Sequence, residues 1–100
     1  MPHAQALVLT DDPARPAGAL ARRLAHEFET EWAAESGFVR LAEGLCTFHS
    51  WPEGLRLDAF ADTSELLGSV ERFITEQLTG DAGVDAGLRV DWYRRPLSER

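Results

Sequence analysis

One hundred residues, 44% of them hydrophobic and 27% charged, suffice for a single domain that buries its own core without metal or disulfide support. A formal charge of -7, from 17 acidic against 10 basic residues, repels polyphosphates and anionic lipid heads, so nucleic acid and membrane are excluded as expected partners. The only cysteine, Cys46, cannot close an internal disulfide, the start MPHAQALVLT lacks a basic segment before a long apolar run, and no stretch approaches the roughly 18 to 20 apolar residues of a membrane span, which makes the cytoplasm the expected compartment.

The first segment, AQALVLT over residues 4 to 10, is short, apolar and partly β-branched, and it runs into the turn-forming DDPARP. It predicts a strand. A helix is expected from near Pro16, because Arg15 precedes that proline and proline is tolerated in the first helical turn. Leu20, Leu24, Phe28 and Trp32 then recur every four residues, with Arg22, Arg23, Glu27 and Glu31 elsewhere on the wheel. That spacing predicts an amphipathic helix of about four turns, ended by Ser36 and Gly37.

From residue 38 to 61 the period changes to two. Val39 and Leu41 alternate, then Cys46, Phe48 and Ser50, then Leu55, Leu57, Ala59 and Ala61, with turns at Ala42 to Gly44 and Pro52 to Gly54. Three strands joined as two hairpins is the simplest reading. In DTSE, Asp62 is the expected helix cap and Glu65 its capping-box partner. Leu66, Leu67, Val70, Phe73, Ile74 and Leu78 form the apolar stripe of a second helix, stopped by Gly80. Residues 81 to 87 read as a loop, LRVDW over 88 to 92 as a last strand, and YRRPLSER as a frayed tail. The expected architecture is α+β in the order β-α-β-β-β-α-β, one domain over residues 1–93 with a tail at 94–100. Both helices cover one face of a mainly antiparallel sheet, since each has a single apolar stripe to bury.

The stretches ALVLTDDPAR, GLCTFHSWPEGLRLDAFADTSELLGSVERFI and LRVDW, in that order and spacing, resemble the domain of unknown function 2218 family over about residues 4 to 93. The resemblance implies a small α+β fold similar to the C-terminal domain of phosphohexomutases and related to the TATA-binding-protein type. It also implies a bacterial setting in which members stand alone or are attached to flavin-dependent siderophore-interacting proteins, with iron acquisition as context. Relatives carry histidines around a His-Phe or His-Trp pair in the first helix and a His-Leu pair late in the second. The aligned positions here are Glu27, Thr30 and Gln77, with His26 one residue from the first, which implies that any metal chemistry of those histidines is lost.

Cys46 and His49 invite a reading as a metal pair or as a thiol with its base. Residues three apart on a strand point to opposite faces, so neither arrangement forms without a bulge, and Cys46 beside Leu45 and Phe48 lacks the cationic neighbour of a reactive thiol. It reads as a small buried apolar residue. If Cys46 and Phe48 face the helices, Thr47, His49 and Trp51 face away, joined by Arg56, Asp58 and Phe60 of the next strand. A face mixing aromatic rings with a histidine, an arginine and an aspartate is too apolar to be wholly solvated and too polar to be core. His49, Trp51, Arg56, Asp58 and Phe60 are therefore the candidate binding residues, with Trp51 and Phe60 as anchors and Arg56 and His49 as polar selectors.

Three function classes follow. The first is a non-enzymatic binding or accessory domain acting through its sheet face, as a homodimer or on a protein partner such as a flavin-dependent siderophore reductase, with no cofactor and no metal. The second is a small-molecule or metal-handling protein with a pocket near His26 and His49. The third, an enzyme, is the weakest, because no convergent acid, base and nucleophile can be assembled.

Overall fold

The computed structural model describes residues 1–80 and 83–94. Its elements run β1 (His3–Leu9), α1 (Ala14–Leu24), β2 (Glu29–Ala33), β3 (Ser36–Arg40), β4 (Gly44–Trp51), β5 (Gly54–Ala61), α2 (Ser64–Thr79) and β6 (Trp92–Arg94). The six strands form one antiparallel sheet in the order β2-β3-β4-β5-β1-β6. The α+β class and the helical layer on one face are as expected: α1 lies over β2, β3 and β4, and α2 over β4, β5 and β1.

The first helix is shorter than its four-residue spacing suggests. It begins at Ala14, two residues before Pro16, and ends at Leu24. Pro16 is its third residue, where a backbone N–H has no intrahelical acceptor, so the missing donor costs no bond. Arg22 and Arg23 in the last turn oppose the partial negative charge there. Phe28 and Trp32, expected on the helix, lie beyond it, and ETEWA forms an additional strand, β2. A spacing of four is even as well as nearly one helical turn, so Thr30 and Trp32 share a strand face as readily as a helix face. The pairing of β2 with β3 places Gly37 opposite Trp32, and a Cβ on Gly37 would stand 2.9 Å from the Trp32 Cα and 2.1 Å from the Glu31 carbonyl oxygen. Only glycine admits that approach.

Two other boundaries move. The cap of α2 is Thr63 rather than Asp62: its hydroxyl accepts the Leu66 N–H at 3.1 Å, so Glu65 is not the partner of a capping box. The last strand is residues 92–94 instead of 88–92, and Arg94 is fixed by Glu71 at 2.7 Å rather than frayed. Asp81, Ala82 and residues 95–100, which the sequence assigns to a loop and a tail, lie outside the described residues.

Between helices and sheet lies the core. Phe48, Leu20, Leu55, Leu57, Leu67, Ile74 and Leu78 are fully buried, with Val8, Val39, Val70 and Cys46 beside them. Burial of one such large aliphatic or aromatic side chain contributes about 1.5–3 kcal/mol. Phe28 closes the layer between the helices by meeting Phe73 edge to face, 5.5 Å between ring centres. On the far side Trp92 packs on the core and donates its indole N–H to Thr75 at 2.8 Å, which fastens β6 to α2.

Candidate functional site on the open sheet face

Along β4 and β5 the alternation is strict. Cys46 and Phe48, then Leu55, Leu57, Ala59 and Ala61, point to the helices and are buried. The odd positions of β4 and the even positions of β5 point the other way, where the described residues provide no helix. There the β4–β5 register sets Thr47 opposite Asp58, His49 opposite Arg56 and Trp51 opposite Gly54. The β1–β5 register brings His3 opposite Phe60, Gln5 opposite Asp58, Leu7 opposite Arg56 and Leu9 opposite Gly54. Tyr93 of β6 stands opposite Gln5. All five candidate residues from the sequence, His49, Trp51, Arg56, Asp58 and Phe60, thus share one face, while β1 and β6 supply neighbours that the sequence did not place there.

Asp58 is the polar centre. Among the described residues it is the one buried charged side chain, 6% exposed. One carboxylate oxygen faces His3 Nε2 at 2.8 Å and accepts from the Gln5 amide at 3.4 Å; the other accepts Arg56 Nε at 3.0 Å. A buried carboxylate is tolerated only when its oxygens are engaged in this way. His3 is held flat against Phe60, ring centres 4.4 Å apart and planes 8° from parallel. Arg56 in turn lies over the Trp51 ring at 5.7 Å. Asp58 is therefore buried and Phe60 partly buried, with Arg56 and His3 packed against them at the surface.

Around Arg56 the surface is concave. A cavity of about 440 Å³ is lined by Gln5, Ala6, Leu7, Trp51, Glu53, Arg56 and Tyr93. Its apolar rim is unusually exposed: Trp51 is 45%, Leu7 44% and Tyr93 67% accessible, and Leu9 beside Gly54 is 71% accessible. Gly54 is demanded by the sheet, since a Cβ there would meet the Val8 carbonyl oxygen at 2.1 Å. The bare position between Trp51 and Leu9 also leaves the indole ring uncrowded.

None of the cavities formed by the described residues is lined by His26 or His49, around which a pocket is expected from the sequence. His26 stands exposed in the turn after α1, whereas His49 projects from β4 to the open face. The open-face cavity contains neither. Among the described residues no three His, Cys, Asp or Glu side chains are grouped to hold a metal ion. Cys46 is buried, its thiol directed at the Thr47 carbonyl at 3.8 Å, and burial, helped by the Asp58 charge, pushes the thiol pKa far above its ordinary value. A thiol so protected from ionisation is neither ligand nor nucleophile at neutral pH.

His3 is a neighbour on this face that the sequence reading did not place there. It lies 55 residues from Asp58, and only the position of β1 beside β5 joins them. Tyr93 was missed because it fell in the segment read as a tail.

No helix among the described residues is long and apolar enough to cross a membrane. No curated protein matches the chain. The fold is similar to the NMR structure of PA4090 from Pseudomonas aeruginosa, with a TM-score of 0.64 at 18% sequence identity over 99% of this chain and 100% of that one. That likeness is one of fold, and it lends no support to the expected similarity to the phosphohexomutase C-terminal domain. The family described as an uncharacterized protein conserved in bacteria, DUF2218, matches residues 5–93, nearly the whole span over which the sequence resembles it, and the chain belongs to that family.

Proposed function

We propose that the protein is a non-enzymatic binding module that acts through the open face of its sheet. The observation that carries this reading is the grouping of Trp51, Leu7 and Tyr93, all well exposed, around a concavity with Arg56 in its lining, next to the exposed Leu9 on the same face. Exposed apolar side chains scattered singly are ordinary, but a contiguous set with a buried ionic anchor beneath it is the usual composition of a contact surface. In this reading Trp51 is the anchor and Arg56 the polar selector. Asp58 and Phe60 position Arg56 and His3, and His49 borders the site. A second copy of the chain, or a protein such as a flavin-dependent siderophore reductase, would cover the same face. Iron acquisition enters as context through the family resemblance alone.

Chemical-shift mapping with a panel of small acids, bases and neutral planar molecules tests the reading. Responses concentrated on Leu7, Trp51, Arg56 and Tyr93 are expected. Responses confined to the helical layer would overturn it.

A further inference from the structure

We infer that the open-face cavity is a site for a small aromatic carboxylate, its ring held between Trp51 and Tyr93 and its carboxylate on the outer edge of the Arg56 guanidinium. This inference rests on the binding-module reading and names the ligand class.

Among the described residues Arg56 is the one cation in the cavity lining. Asp58 engages it from the side, through Nε at 3.0 Å, and no other hydrogen bond involves its guanidinium among the described residues. Its terminal Nη1 and Nη2 edge, the fork that takes a carboxylate with two parallel N–H donations, is left to the cavity it lines. Asp58 cannot rotate to occupy that edge, because its other oxygen is held by His3 and Gln5. Arg56 also lies over the Trp51 ring, 5.7 Å from its centre, a second contact that holds the cation beside the indole. The cation is thus held in place before a ligand arrives, and its side chain has little entropy left to lose on binding.

Leu7, directly across from Arg56, continues the floor as an apolar surface, and Trp51 and Tyr93 rise on either side of it. A volume of about 440 Å³ falls within the usual range of roughly 300–1,000 Å³ for small-molecule sites and suits a molecule of one or two rings. Glu53 is the one opposing charge in the lining, and it sits exposed in the turn between β4 and β5, where solvent and salt screen it. Aromatic walls select a flat ring, and a single unshared guanidinium edge selects a carboxylate over a neutral acceptor.

Binding of 3-phenylpropionate and of its neutral amide, followed by amide and indole NMR shifts of the full chain, tests this. The acid is expected to bind at the open face about tenfold more tightly than the amide. Arg56→Gln should bring the two affinities together without weakening the amide, and Trp51→Leu should weaken both alike. Arg56→Lys, which keeps the charge and removes the fork, should retain only part of the preference and guards against misreading a folding defect. Equal binding of acid and amide at the face would overturn the carboxylate assignment and leave the binding module standing. Silence of the face toward both, with self-association shifting the same residues, would overturn the inference in favour of a second copy. Shifts confined to the helical layer would overturn both readings.

Discussion

His3 and Asp58 are 55 residues apart in the chain and 2.8 Å apart in the fold, joined across β1 and β5 on a face that also presents Trp51 and Arg56. Asp58 is the buried member and His3 the half-buried one, so loss of the carboxylate should cost more than loss of the ring. Asp58→Ala is expected to destabilise by about 1–3 kcal/mol, since it strips a hydrogen-bond partner from both His3 and Arg56. His3→Ala should cost about 1–2 kcal/mol through the lost bond and the lost stack on Phe60. A double-mutant cycle by urea unfolding should return a coupling of at least about 0.5 kcal/mol. Simple additivity would show that the pair contributes nothing to the fold.

Trp51 is half-exposed and packs on Arg56 rather than on the core. Trp51→Ala should leave stability within about 1 kcal/mol of the parent while weakening any self-association seen by sedimentation. Unchanged association would remove Trp51 as an anchor of a protein contact.

Ala34, in the turn between β2 and β3, has a φ of 57°, a left-handed conformation that costs an L side chain about 1–2 kcal/mol. Glycine adopts it freely but loses more entropy on folding, so Ala34→Gly should gain a net stability of about 0.5–1 kcal/mol. Thermal unfolding at a fixed pH measures it, and a lower midpoint in the variant would count against the turn geometry.

Burial keeps the Cys46 thiol protonated in the folded chain far into alkali, whereas the unfolded thiol ionises about its ordinary 9.0. Below 9.0 both states hold the proton and the thiol adds no pH dependence. Above it the unfolded state releases its proton and the folded state does not, so stability falls as pH rises. At pH 10 that loss amounts to about 1.4 kcal/mol. Cys46→Ala should start less stable but show an alkaline decline smaller by that amount. Identical declines in the two proteins would mean that the native thiol ionises normally.

The stripe of α2 and the parity of β4 and β5 follow from local sequence. Leu67, Val70, Ile74 and Leu78 recur at helical spacing, and Cys46, Phe48, Leu55 and Leu57 at strand spacing, and each set faces the core. Periodicity of this kind is a property of the backbone itself, so it survives without knowledge of what the segment packs against. The opposition of Cys46 and His49 followed for the same reason. Where local spacing admits two answers, the tertiary structure chose. Phe28 and Trp32 satisfy both a helix and a strand, and the close approach of Gly37 to β2 decided for the strand. The cavity, too, is a tertiary product. Trp51, Arg56, Leu7 and Tyr93 come from four strands, and β1 reaches its place between β5 and β6 only through pairings with residues distant in the chain, such as Leu7 with Arg56 and Gln5 with Tyr93. Their meeting depends on strand order and register, which are set by the global burial of apolar faces and leave no mark in the neighbouring residues of any one strand.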